Sequence, residues 1–182
     1  SHTGSHIEAV TRIAEAAGGY VQAAAADRTL IVRHRYPIVP WDWPLQTPDF
    51  SLPAAVTLRE SVEWIERPAY NAVYVSGEGA GVLARVRRSG TAGDFLAPMV
   101  TDPLNTASQA ASQRGRAILA DTGPQIRLTL ETPILPEVGI YPVGSMVQFT
   151  DHGASKMGLV RALSLQAAFP RVRQILEIEC RE

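Results

Sequence analysis

The stretch "VSGEGAGVLARVRRSG", residues 75–90, decides how the rest of the chain is read. Three glycines at alternate positions, Gly77, Gly79 and Gly81, precede Arg85, Arg87 and Arg88. In one reading the glycines cradle a phosphate, the arginines pair with it, and the protein handles nucleotides. In the other, the glycines form the tip of a β-hairpin whose second strand carries solvated charge. Context separates the two. A dinucleotide fingerprint needs G-x-G-x-x-G between a strand and a helix, whereas this spacing is G-x-G-x-G and leads into a second strand. A Walker A loop needs Gly-Lys-Ser/Thr, and no lysine lies near. Glycine at a hairpin tip supplies the positive φ angles that such turns require. The stretch therefore predicts strands at 70–77 and 82–88 around a tip at 78–81. The three arginines fall on the outward side of the second strand or at its end, where one could face a partner subunit.

Working outward, the N-terminal side reads as a helix and a second hairpin. Ser5 and Glu8 have the spacing of a capping box. Ile7, Val10, Ile13, Ala14 and Ala17 form a helical stripe, and Gly18-Gly19 supplies the stop. Segments 20–25 and 29–36 flank a turn at Asp27-Arg28, and the second alternates apolar and polar residues. The helix is expected to pack across this hairpin. Residues 37–53 contain five prolines, which disfavours a helix or a sheet interior. An ordered, extended seam is expected there, anchored by Trp41, Trp43 and Phe50. A short strand follows at 56–65.

On the C-terminal side, Asp102-Pro103 reads as the start of an Ala-rich helix running to about 120. Its small residues suit close approach to a sheet. Strands are expected at 126–131, 146–150, 157–166 and 172–181, separated by turns bearing Pro or Gly. The fold class is α+β and β-dominated: a helix–hairpin unit with its Pro-rich connector at 1–53, then an antiparallel barrel-like domain at 54–182 with helix 103–120 inserted.

Composition narrows the function classes. The 182 residues are 46% hydrophobic and 19% charged, a globular balance. The net charge of -1 and pI near 6.4 argue against a dedicated nucleic-acid binder. Of 17 basic residues only Lys156 is lysine; arginine favours bidentate pairing and interfaces, although a GC-rich genome favouring Arg codons explains the bias better. A single cysteine, Cys180, excludes an intramolecular disulfide and any Cys-based zinc site. It lies in an alternating apolar run, as a buried and inert thiol would. No apolar run approaches a membrane span, and the opening residues do not read as a signal peptide. "SHTGSH" at residues 1–6 reads partly as a cloning remnant. The abrupt entry into a helix leads to the expectation of a piece of a longer protein.

Catalytic constellations are sparse. No G-x-S-x-G occurs, and Cys180 lacks a basic neighbourhood. Glu60, Glu63 and Glu66 could offer a carboxylate pair for cell-wall hydrolysis, but strand-end spacing does not set their separation. His2 and His6 are four apart, yet Ser5 as helix cap leaves both outside the helix, and Asp151-His152-Gly153 reads as a turn. Trp41-Asp42-Trp43 could stack on a sugar, or bury the loop, or anchor a protein interface. No catalytic, cofactor-binding or metal residue is expected. The interface candidates are Trp41, Trp43, Phe50, Arg85, Arg87 and Arg88.

Five segments, in order, carry a family resemblance. "IEAVTRIAEAAGGYVQ…DRTLIVRHRYP" from residue 7 to 37 resembles a helix ending in Gly-Gly and a hairpin ending in an R-Y-P-like edge. "YNAVYVSGEG" at 70–79 is similar to an Asn-x-Val-x-Val-x-Gly strand. "VTDPLNTASQAASQRGRAIL" at 100–119 resembles an Asp-initiated, Ala-rich helix. "YPVGSMVQFTD" at 141–151 is similar to a Pro-x-Gly-x-x-Val turn, and "GLVRALSLQ…RVRQILEIE" from 158 to 179 resembles a closing strand pair. Together they resemble the C-terminal portion of bacteriophage tail (baseplate) hub proteins of the late-control D type. The resemblance implies a non-enzymatic structural protein of the virion tail tip, assembled in the bacterial host cytoplasm, in a phage or a gene-transfer particle. It implies a homotrimer of the full-length protein, pseudo-sixfold through two barrel-like domains per subunit, the first of them N-terminal to this chain. It further implies distal tail, tape-measure and spike or fibre proteins as partners, and DNA passing through a central channel without specific binding. A near-neutral wall suits sliding, since strong phosphate contacts would slow ejection.

Overall fold

The computed structural model describes residues 4–24, 27–79, 81–137, 139–151 and 153–181. In chain order the elements are α1 (His6–Ala16), β1 (Gly19–Ala23), β2 (Leu30–His34), a 3-10 helix at Pro40–Leu45, β3 (Phe50–Leu52) and a second 3-10 helix at Ala54–Val56. Then come β4 (Arg59–Ile65), β5 (Ala72–Ser76), β6 (Leu83–Arg87), β7 (Val100–Thr101), α2 (Ser108–Ala120), β8 (Gln125–Pro133), β9 (Met146–Asp151), β10 (Ala154–Ala168) and β11 (Arg171–Cys180). The chain is α+β and β-dominated. It forms two compact units, each made of two separate stretches. One takes the described residues of Ser1–Val39 and Pro68–Gly123, the other those of Pro40–Arg67 and Pro124–Glu182. The units thus interleave, and the boundary expected at residue 53 falls inside the second. Local patterns cannot show this, because the pairings that define each unit join distant stretches.

In the first unit α1 starts as its residues dictate. Ser5 Oγ accepts from the Glu8 N–H, and the Glu8 carboxylate accepts from the Ser5 N–H at 2.6 Å. The helix packs against β1, which pairs with β2 as an antiparallel hairpin. A three-stranded sheet, β6-β5-β7, is the second layer, with β7 parallel to β5. Helix α2 covers its inner face. The approach is close because the contacting residues are small: Ala111 is fully buried, and a Cβ on Gly115 would sit 2.5 Å from Val86 Cγ2.

The expected start of α2 is corrected. The helix begins at Ser108, not 103, and belongs to this unit, not to the barrel-like one. Asp102-Pro103 carries the signature of a helix start, but Asp102 caps a turn. Its carboxylate accepts from the Leu104 N–H at 3.0 Å and pairs with Arg12 at 3.5 Å. Residues 102–107 are spent on that turn before the helix begins.

The second unit is one six-stranded sheet in the order β3-β9-β10-β11-β8-β4. Its core is Leu52, Ile126, Leu128, Leu130, Tyr141, Val147, Phe149, Val160, Leu176, Ile178 and Cys180. Even-numbered residues of β8 and β11 point inward, as the period of two requires. Each large apolar side chain buried here contributes about 1.5–3 kcal/mol. A bulge in β10 between Val160 and Ala162 resets that alternation. Three residues apart, Val160 and Leu163 would otherwise face opposite sides; the extra residue turns both toward the core.

Two features of the expected barrel are corrected. The sheet is open, with β3 and β4 at its edges and unpaired to each other among the described residues. It is also mixed, because β3 runs parallel to β9. The stretch with five prolines supplies this short edge strand and a 3-10 helix, not simply an extended segment. Chain between the two edges passes through the Ala54–Val56 turn, beside a cavity of about 60 Å³ lined by Leu52, Thr57, Glu60, Leu130 and Phe149.

A polar knot ties β11 to the 139–141 loop. Gln174 is fully buried; its Nε2 donates to the Gly139 carbonyl at 2.9 Å, and its Oε1 accepts from the Tyr141 N–H at 3.3 Å. The Tyr141 ring packs edge-on against Phe50, and its hydroxyl donates to the Ser51 carbonyl at 3.3 Å. Burial raises the Tyr141 phenol above its ordinary range, because the phenolate would lose its hydration.

Candidate interaction surfaces

The opening glycine stretch is a hairpin tip. β5 and β6 pair antiparallel across it, with Ser76 opposite Leu83. Gly77 is confined by backbone: a Cβ there would collide with the Asn105 carbonyl, whereas Gly79 has open space. Gly77 therefore serves the packing of the turn before α2.

Arg85 and Arg87 lie on the exposed face of β6, and Arg88 follows its end. This face is ordered by protein groups. Arg85 stacks over the Tyr74 ring at 5.7 Å and donates to the Gly93 carbonyl at 3.0 Å. The neighbouring loop is held by Asn71, which donates to Asp94 at 2.9 Å and accepts from the Phe95 N–H at 2.9 Å. The Asn71 hydrogen bond, then backbone N–H groups, hold the Asp94 carboxyl below its ordinary range. Phe95 stacks on Tyr70 with ring centroids 5.0 Å apart.

The aromatic candidates separate. Trp43 is 2% exposed, Phe50 is half-buried on Tyr141, and Trp41 is half-buried. A sugar platform using both tryptophans loses its second ring, because Trp43 offers no face to solvent. The glutamates separate too. Glu60 and Glu63, three apart on β4, project to opposite faces, and Glu63 pairs with Arg127 at 2.9 Å. Cys180 is buried as expected. His6 is the first residue of α1 and not outside the helix as expected, because the cap at Ser5 places the next residue in the first turn; His2 and His152 lie outside the described residues. Among the described residues no group of three or more His, Cys, Asp or Glu could hold a metal. No described helix is long and apolar enough to cross a membrane.

Two surfaces absent from the sequence reading stand out, both in the second unit. The β10–β11 hairpin runs past the core, and residues 164–172 are exposed. Leu165 and Val172 continue the core face of the sheet and are exposed, and Phe169 at the tip is fully exposed at 103%. An open groove of about 420 Å³ lies beside this tip, lined by Phe169, Pro170, Arg171 and Arg173. The other surface is β4, whose Val62 and Trp64 pair across from Leu128 and Ile126 and so lie on the core face, yet Trp64 is 62% exposed. Alternation of Val62 and Trp64 with polar residues was the available signal for β4. For the hairpin it was the run of two long strands meeting at Phe169-Pro170 without a polar turn.

The architecture defines a class of fold: a helix, hairpin and three-stranded sheet with a second helix, interleaved with a six-stranded open sheet. Two solved tail proteins share that fold. The chain is similar to the tail protein from Neisseria meningitidis MC58, with a TM-score of 0.59 at 16% identity over 95% of this chain and 54% of that one. It is also similar to the 43 kDa tail protein of prophage MuSo2 from Shewanella oneidensis, with a TM-score of 0.55 at 14% identity over 94% and 51%. A chain of the native gene transfer agent virion aligns more weakly, at a TM-score of 0.48 and 17% identity over 93% and 38%. The chain thus spans about half the length of the two tail proteins whose fold it shares. No family model matches the sequence, and no curated protein does.

Proposed function

We propose that the protein is a structural hub component of a phage-type tail tip, trimeric at full length. In this reading it joins the tail tube and distal tail protein to spike or fibre proteins around a DNA channel. The observation that carries the proposal is the fold shared with two tail proteins along nearly all of the chain. The collinear turn and strand motifs, and side chains of β6 engaged by protein groups, agree with a scaffold. The near-neutral charge suits a channel wall that DNA slides past. The test is genetic and microscopic, in the strain that makes the particle. Deleting the gene should abolish infectious or transferring particles, and gold-labelled antibody against the protein should mark the tail tip of wild-type particles. Normal particles without the protein, or label spread along the tube, would overturn the proposal.

A further inference from the structure

The two uncovered surfaces of the six-stranded sheet complement each other. Among the described residues β4 pairs only with β8, so one of its edges presents unpaired backbone groups. β10 is paired on both sides only as far as Leu159; from Ala162 onward its sole strand partner is β11. Its exposed residues 164–168 therefore present a second unpaired edge. Such edges recruit another strand unless proline, lysine or a covering element blunts them, and neither segment contains proline or lysine. Both carry apolar side chains beside the free edge: Trp64 on β4, and Leu165 and Phe169 on the hairpin. Their charge is opposite. Within the sheet Glu63 is held by Arg127 and Arg173 by Glu131, which leaves Glu60 and Glu66 against Arg59 on and just after β4, and Arg171 with no acid in residues 164–173.

We propose that the occupant of the β4 edge is the β10–β11 hairpin of a second copy of this chain. Contact is by strand addition, with the apolar tip against Trp64 and Arg171 toward the glutamates. Each copy has one donor and one acceptor surface, so the contact is heterologous, the kind that forms a ring when its rotation closes, as the trimer of the hub reading requires. This rests on the self-assembling hub reading and gives it an interface.

The experiment uses the intact protein with single cysteines in place of Phe169 and Trp64, both exposed, while Cys180 stays buried. Differently tagged Phe169→Cys and Trp64→Cys chains are co-expressed, treated with a short bis-maleimide and resolved on a gel, and the same samples are weighed by light scattering. The expected result is a cross-link between unlike tags at least tenfold stronger than between like tags. An assembled oligomer with no such cross-link, also absent for Val172→Cys with Val62→Cys, overturns this interface and leaves the hub reading standing. Cross-linking of Phe169→Cys chains with one another overturns it in favour of an isologous contact. A monomer by light scattering overturns both the interface and self-assembly.

Discussion

Replacing Gln174 by Met keeps the side chain's length but removes both hydrogen bonds that fasten β11 to the 139–141 loop. The Tyr141 N–H is buried and would be left without its acceptor, at about 1–3 kcal/mol for an orphaned buried group. Gly139 is half-exposed, so water can replace the donor its carbonyl loses, and that share is at most about 1 kcal/mol. The variant should therefore lose about 2–3 kcal/mol from the second unit. All three tryptophans, Trp41, Trp43 and Trp64, lie in that unit, so tryptophan fluorescence during urea unfolding reports on it selectively. With a urea slope of about 1 kcal/mol/M, the midpoint should fall by roughly 2–3 M. A fall of less than roughly 0.5 M with an unchanged slope would mean that the knot contributes no more than an exposed amide.

Glu179 accepts from Arg161 at 2.5 Å and Arg181 at 2.7 Å while itself nearly buried. Glu179→Gln, which removes the negative charge facing two partly buried guanidiniums, should cost about 3 kcal/mol in the same urea assay, with little rescue by salt. In the first unit, Gly115→Val would force α2 away from Val86 and Val73. Amide exchange of β5 should quicken by at least about tenfold, in line with an overpacking cost of about 1–3 kcal/mol. Tyr141 gives a pH dependence. Its folded pKa is raised, so its contribution is fully present below the ordinary phenol range and is lost as pH rises through the folded value. Wild-type stability should fall more steeply than that of Tyr141→Phe as pH rises past the ordinary phenol value of about 10, measured by urea midpoints at each pH.

Where one segment determines its own structure, its residues suffice. Ser5 and Glu8 announce α1, and the alternation of Ile126, Leu128 and Leu130 announces β8. The glycines of the β5–β6 tip announce a turn once their spacing fails both phosphate-binding patterns. What escaped reading depends on distant partners. β3 is three residues in a proline-rich run, and it is a strand only because β9 lies beside it. Asp102 reads as a helix cap because nothing nearby shows that Arg12 and the Leu104 N–H will claim its carboxylate. The interleaving of the two units escaped for the same reason: β4 belongs with β8, more than sixty residues on. Among the candidate site residues, Trp41 and Trp43 look alike in sequence, and only packing buries one more deeply than the other.

In the proposed function the protein assembles as a hub. Its most direct test is the solution mass of the intact protein by light scattering, with negative-stain images of any oligomer. A mass of three chains and a threefold ring with an open centre is the expected result. A monomer at every concentration up to the solubility limit would contradict it.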